Sequence, residues 1–267
     1  MTNPRQVAVG RVHACVLDDS GLNCWGFNDE RGQTEVPSLR SPSYIVSGRD
    51  VSCALDVIGV KCWGDNAQGK TDVPELQNPR EVGLGYDNAC AIDDTGVVCW
   101  GDKSSSLAST IPEMINPSNL SMGDQQACVL DNGRAVCWGN GYGPTNRSST
   151  FYKQPALLNP REIVAGGSHV CAIDDQDLKC WGREEERQQE DIPPVSNPSR
   201  LFRASRDGMC VLDDSGLQCW GGDVESNTAE ALSEIPTDLS FTSAGKRVVT
   251  QYLQTTSASQ NITTLDV

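Results

Sequence analysis

The sequence is poor in what several large function classes require. It holds only two histidines, and its 21 Lys and Arg are outnumbered by 36 Asp and Glu, giving a formal net charge of −15. Such a chain lacks the excess cations that neutralise phosphates, which argues against nucleic-acid binding, and an anionic lipid surface would repel it. No apolar run approaches the roughly 20 residues of a spanning helix, so no membrane insertion is expected. The first residues, MTNPRQVAVG, lack the basic-then-apolar pattern of a secretory signal. They enter the repeat described below at Pro4, as a trimmed mature form with an added start codon would. Helical patterning is missing too: no 3.6-residue period is sustained, and Pro or Gly recurs every few residues.

What is present is one unit, repeated. CVLDDSGLNCWG returns as CALDVIGVKCWG, CAIDDTGVVCWG, CVLDNGRAVCWG, CAIDDQDLKCWG and CVLDDSGLQCWG. The tryptophans at 25, 63, 100, 138, 181 and 220 lie 38, 37, 38, 43 and 39 residues apart, and these units use every Trp and Cys of the chain. A turn and a short strand-like run precede each pair of cysteines, as in NPRQVAVG, SPSYIVSG and NPREVGLG. Each unit thus reads as strand, loop, strand, tight turn, strand, then a polar loop to the next Pro. Units of about 40 residues with three or four short strands are the mark of radially arranged blades, so the fold class is all-β, a β-propeller. A linear β-solenoid is the alternative; its coils are usually shorter and lack a hairpin in every repeat.

The hairpin explains the nine-residue cysteine spacing. With Cys15 opposite Cys24, Asp18 faces Gly21 and Asp19-Ser20 form a two-residue loop. The same register in the fourth unit centres the loop on Asn132-Gly133, the strongest short hairpin signal. The cysteines then occupy a non-hydrogen-bonded pair, where Cα atoms approach to about 4.5 Å, within disulfide range. Six intrablade bonds are inferred: Cys15–Cys24, Cys53–Cys62, Cys90–Cys99, Cys128–Cys137, Cys171–Cys180 and Cys210–Cys219. Reduced core cysteines are the alternative. Zinc fares worse, because facing cysteines supply two ligands and only His13 and His169 could add to them. Disulfides imply an oxidising compartment, hence a secreted, periplasmic or cell-surface protein. Each tryptophan points to the sheet face opposite its neighbouring cysteine and is expected to pack between blades, rather than form a ring of ligand-stacking indoles.

These residues carry a resemblance. The VAGGSHVCAID type of segment, the CWG that follows, and the connectors WGFNDERGQTEVP and WGDNAQGKTDVP resemble the regulator of chromosome condensation repeat family over residues 4 to about 222. The resemblance implies a seven-bladed propeller. Functions in that family include nucleotide exchange on a small GTPase, chromatin docking, ultraviolet perception and, in a secreted bacterial branch, β-lactamase inhibition by the type II inhibitor protein. The VP connectors and the inferred export place this chain nearer that bacterial branch. Exchange and chromatin roles sit badly with disulfides and an acidic chain, and the ultraviolet receptor's extra loop tryptophans are missing.

Residues 1–235 then hold six repeats, and 236–267 are read as a divergent seventh blade closing the same domain; six blades plus a tail is the alternative. In that last segment RVVTQYL and NITTLDV alternate like strands, without Cys, Trp or the acidic turn. Enzyme chemistry finds little support, and no cofactor or metal is expected. The pairs Asp18-Asp19, Asp93-Asp94, Asp174-Asp175 and Asp213-Asp214 recur at the hairpin tip, where Asp favours turns. What varies is the loop between the first two strands: Arg11-Val12, Arg49-Asp50, Tyr86-Asp87, Asp124-Gln125, Gly167-Ser168 and Arg206-Asp207. In a propeller these form one ring on one face, and loops on a rigid frame carry recognition. Arg and Tyr are enriched in interface hot spots. The candidate partner-binding residues are therefore Arg11, Arg49, Asp50, Tyr86, Asp87, Asp124, Gln125, Arg206 and Asp207. A monomeric, non-enzymatic module binding a protein partner is expected. The alternative is a lectin-like binder of glycans or cell-wall polymer, stacking on Tyr86, Tyr142, Phe151 and Tyr152.

Overall fold

A computed structural model describes residues 3–26, 31–139, 154–167, 169–182, 192–203, 206 and 208–221. Asp207, Tyr142, Phe151, Tyr152 and the expected seventh blade at 236–267 lie outside the described residues. Blade one holds β1 (Gln6–Val9), β2 (His13–Asp18) and β3 (Gly21–Gly26). Blade two holds β4 (Tyr44–Ser47), β5 (Val51–Asp56) and β6 (Gly59–Gly64), and blade three β7 (Glu81–Leu84), β8 (Asn88–Asp93) and β9 (Gly96–Gly101). Blade four holds β10 (Pro117–Met122), β11 (Gln126–Asp131) and β12 (Arg134–Gly139), and blade five β13 (Glu162–Ala165), β14 (His169–Ile173) and β15 (Leu178–Gly182). Blade six holds β16 (Arg200–Arg203), β17 (Met209–Asp213) and β18 (Gly216–Trp220). Each triplet is a separate antiparallel sheet, and the first strands of all six line a shared channel, which makes the sheets blades of a propeller.

The hairpin register is the expected one in every blade, from Cys15 opposite Cys24 to Cys210 opposite Cys219. All six disulfides form, with Cα–Cα distances of 4.0 to 4.1 Å, slightly closer than the generic pair spacing. The turns reach that register in different ways. Asn132 and Gly133 both take positive φ, 48° and 78°, as a type I′ turn requires. Where the loop is Asp19-Ser20, the positive φ falls instead on the glycine after it, 119° at Gly21.

The recurring Asp pairs are spent on turns. One Asp93 oxygen accepts the Thr95 N–H and hydroxyl at 2.7 and 2.6 Å, and the other accepts the Gln77 N–H of the preceding turn at 2.8 Å. Burial by itself would raise its pKa; the Thr95 hydroxyl and the surrounding N–H donors outweigh that and hold it below the ordinary value. Asp56, Asp174 and Asp213 are lowered for the same reasons, burial being overcome by hydrogen bonds to the carboxylate. The second aspartate of each pair accepts an Asn side chain from the turn before, at 2.7 Å for Asn78 to Asp94 and 2.8 Å for Asn159 to Asp175. The second blade departs from this acidic rim, its tip being the exposed Val57 and Ile58.

Blades stack by unlike faces. The cysteine face of blade three, with Cys90, Ile92 and Val97, packs on the tryptophan face of blade four, with Ala127, Val129 and Trp138. The same pairing recurs at the other four junctions between described blades. Trp63, Trp100, Trp138, Trp181 and Trp220 are 2 to 8% exposed. The indole Nε1 of Trp100 donates to the Lys70 carbonyl at 2.8 Å, and that of Trp138 to the Leu107 carbonyl at 3.0 Å. The expectation of one buried ring per blade fails at Trp25, which is 45% exposed because no described residue forms a blade before the first. At the other end, Phe202, Cys210 and Leu212 form a small cluster on the cysteine face of blade six, which no described blade covers.

Candidate binding site at the mouth of the central channel

In blades one to five a glycine follows the first strand, and at several of these points neighbouring backbones nearly touch. A Cβ on Gly123 would lie 2.2 Å from the Gly166 carbonyl oxygen, and one on Gly10 2.5 Å from that of Gly48. The varied loops start immediately after these residues, so the close approach gathers them around one opening. A cavity of about 500 Å³ lies there, walled by Val9, Val46, Val82, Leu84, Leu120 and Met122 and rimmed by Arg11, Arg49, Tyr86, Asp124, Arg203 and Arg206.

Five of the nominated residues thus meet at the mouth. Arg11 directs Nε and Nη2 to one oxygen of Asp50, at 3.2 and 2.9 Å. The other Asp50 oxygen faces Arg49 at 3.6 Å and Arg31 at 3.7 Å. The Arg49 guanidinium lies 4.6 Å from the Tyr86 ring centroid and its Nη1 donates to the Tyr86 hydroxyl, a cation–π and hydrogen-bonded stack. Across the channel, Arg203 donates to one oxygen of Asp124 at 2.7 Å and Arg206 to the other at 2.6 Å. That bridge joins blade six to blade four, past blade five.

Four of the nominated residues differ in surroundings from the rim arginines. Asp50 and Asp124 are only 3% and 8% exposed, so they are not contact surface; they are buried anchors that fix the arginines above them. Asp87 and Gln125 do not line the mouth cavity; they line an adjoining polar depression of about 200 Å³ with Asn88 and Asp102, and Asp124 borders both. Sequence reasoning missed Arg203. Its counterparts in register are Val9, Ser47, Leu84, Met122 and Ala165, so one charge among small or apolar residues was the available signal. It also missed Lys70, which is buried and donates to the Tyr86 carbonyl at 2.8 Å; burial lowers its pKa, against the raising charge of Asp87.

His13 and His169 are buried at equivalent positions, and the rings lie over Gly10 and Gly166, where a Cβ would come within 2.3 and 2.4 Å of Cε1. The His13 Nε2 pairs with the Ser52 hydroxyl at 2.8 Å; burial lowers its pKa, only partly offset by the charge of Asp50. Among the described residues no group of three His, Cys, Asp or Glu could hold a metal ion, and no helix is long and apolar enough to cross a membrane.

The opposite end of the channel opens into a larger cavity of about 770 Å³. Four of its five charged side chains bond backbone groups, and the fifth, Arg200, pairs with Glu162. Arg161 caps the carbonyls of Asp174 and Pro198, both at 2.7 Å, and Glu81 accepts the N–H groups of Asn119 and Leu120 at 3.1 and 2.7 Å. Groups so employed staple one blade to the next, which leaves the varied mouth as the candidate site.

Solved structures share this fold. The ectodomain of the receptor kinase CR4 from Physcomitrella patens superposes with a TM-score of 0.65 at 24% identity, over 83% of this chain and 65% of that one. Human WBSCR16 gives 0.65 at 15% identity, covering 82% and 76% of the two chains. Prp20p from Saccharomyces cerevisiae gives 0.63 at 16%, covering 80% and 71%. The chain therefore spans about two thirds of the length of the moss ectodomain it matches. No family model and no curated relative matches the sequence. The chain is a β-propeller of the kind seen in the regulator of chromosome condensation repeat proteins.

Proposed function

We propose that this protein is an extracellular, non-enzymatic propeller that binds a protein partner through the mouth ringed by Arg11, Arg49, Tyr86, Arg203 and Arg206. The observation that carries the reading is the contrast between the two ends of one rigid frame. At one end four of the five charged side chains bond backbone groups and the fifth, Arg200, pairs with Glu162; at the other, arginines and a tyrosine of loops that differ from blade to blade sit half-exposed above buried carboxylates. Arg and Tyr presented rigidly are the residue types that dominate interface energies. The similar folds support it: one belongs to a receptor ectodomain, and another is described by its binding to Gsp1p and histones. Six disulfides and the ectodomain likeness favour a secreted or cell-surface site of action. Within that reading, the likeness to the secreted bacterial inhibitor branch makes an inhibitor of an exported enzyme the finer expectation.

The test is capture of partners from the native secretome by the intact chain, in parallel with a glycan array. A protein ligand lost on Arg49→Gln with Tyr86→Ala, and retained when Asp19, Asp94, Asp175 and Asp214 become Asn, is the expected result. Glycan binding with no protein ligand would favour the lectin reading, for which Tyr86 is the one stacking candidate among the described residues.

A further inference from the structure

We infer that the mouth is built for a partner segment in which two acidic side chains flank an apolar one; this rests on the binding role proposed above. The chain carries a net charge of −15, yet the charged residues that line the cavity are four arginines and one aspartate, Asp124. Both Asp124 oxygens already face Arg203 and Arg206, and Asp50 lies beneath Arg11 and Arg49 rather than in the lining. Asp50 is therefore behind the lining, and Asp124, the one anion in it, is engaged by two arginines. The side chains of Arg11, Arg49 and Arg206 remain 46, 40 and 72% exposed.

A guanidinium has five N–H donors in a planar fork, more than one shared carboxylate takes up. Each carboxylate below thus holds its arginines in place, while the guanidinium-bearing side chains of Arg11, Arg49 and Arg206 still face solvent. Such pre-ordering lowers the entropy lost when a second carboxylate docks from outside, and charge-assisted pairs of this kind are among the stronger polar contacts. The arginines form two separate groups. One stands on Asp50 at blades one and two, the other on Asp124 between blades four and six. Between them the cavity wall is hydrocarbon, with Val9, Val46, Val82, Leu84, Leu120 and Met122. Two cationic points separated by an apolar hollow match a loop bearing carboxylates on either side of an apolar side chain. A lone chain-terminal carboxylate would satisfy one point only.

The experiment pans a random peptide display library on the immobilised full-length protein. The enriched sequences are then resynthesised, with Glu and Asp replaced by Gln and Asn in a second set. Paired acidic residues around an apolar one are expected to dominate. The amide versions should bind about tenfold more weakly or worse, the loss expected for one charge-assisted hydrogen bond. Binding should also fall on Arg49→Gln and Arg206→Gln, with unchanged circular dichroism. Enrichment of neutral or basic peptides, absence of any binder, or acidic peptides that bind both arginine variants like the parent overturns the inference. A secreted protein partner that needs Tyr86 and Arg49 but loses nothing when its own carboxylates are neutralised would overturn it too, while leaving the binding role intact. Acidic peptides bound at the mouth with no protein partner found would do the reverse.

Discussion

Trp25 gives the sharpest test of how the ring closes. Its five counterparts are buried between blades, whereas it stands 45% exposed on the face of blade one that no described blade covers, on the same face as Val7 and Val16. Truncating a buried aromatic to Ala costs about 3 to 5 kcal/mol. At Trp100 the hydrogen bond to Lys70 adds about 1 kcal/mol. Trp25 in the described surroundings keeps little more than half of that burial, so Trp25→Ala should cost about 2 kcal/mol if nothing else covers it. Residues 222–267 number 46, against repeat intervals of 37 to 43, enough for one more blade. If they complete the ring, Trp25→Ala and Trp100→Ala should destabilise the full chain to within about 1 kcal/mol of each other in urea, and all six indoles should resist oxidation by N-bromosuccinimide. A Trp25 that is oxidised first, with a substitution costing about 2 kcal/mol or less, refutes closure by that segment.

Other consequences follow from single sites. Gly123→Ala must push apart two blade backbones that a Cβ would meet at 2.2 Å, and should cost about 1 to 3 kcal/mol by thermal unfolding, whereas Gly133→Ala meets no atom within 4 Å and costs only the strain of a φ of +78°. Because the folded-state pKa values of Asp56, Asp93 and Asp213 lie below 3.8, their stabilisation is complete above the unfolded value and is lost as the pH falls through the folded ones. The melting temperature should therefore drop steeply below about pH 4, and less so in Asp93→Asn. His13, with its pKa lowered by burial, adds a smaller loss as the pH falls below 6.5, absent in His13→Gln. Non-reducing mass analysis should find no alkylatable thiol, and peptide mapping should find each bond within one repeat.

The sequence carried most of the fold because strand pairing is a short-range matter. A nine-residue spacing, a turn at its centre and the alternation of side chains suffice to set Cys90 against Cys99 and Trp100 on the other face. The channel mouth was only half legible. Position within the repeat places Arg11, Arg49, Tyr86 and Arg206 on one ring, and they line one cavity, but it could not tell which side chains face the opening. That depends on partners distant in sequence: Asp50 is buried under Arg11 of the preceding blade and Asp124 under Arg203 and Arg206 from across the channel, while Asp87 and Gln125 line the adjoining depression. The Arg203 bridge to Asp124 was hidden for another reason: its partner lies 79 residues away across an open channel, and no local pattern encodes that span.

A finer period also runs through the repeats, and it bears on how such a ring can be closed. The two residues after the turn proline read Arg5-Gln6, Arg80-Glu81 and Arg161-Glu162 in odd blades, but Ser43-Tyr44, Ser118-Asn119 and Ser199-Arg200 in even ones. The structure gives the alternation a physical meaning. Gln6 grips the backbone of Ile45 from both sides, at 2.8 and 3.1 Å, Glu81 that of Asn119 and Leu120, and Glu162 that of Leu201 at 3.1 Å. At the other end of the same blades, the N–H groups of Arg11, Tyr86 and Gly167 donate to the carbonyls of Arg49, Asp124 and Arg206. Odd blades are thus stapled forward to even ones at both ends of the channel, while the junction from even blade four to blade five uses other groups, Asn119 and Ser121 accepting the N–H groups of Ile163 and Ala165 and Gln126 donating to the Gly166 and His169 carbonyls. A seventh blade would break the alternation, with odd blade one as its forward neighbour. The closing junction would then rest on apolar contact with the Trp25 face more than on polar staples. Having neither cysteine nor tryptophan, residues 222–267 would close it without a disulfide of their own, so the junction should open at lower denaturant than any of the five that are seen. Hydrogen exchange at β1 and β16 should then exceed that at β7 and β10; equal protection would show that the junction is as firm as the rest.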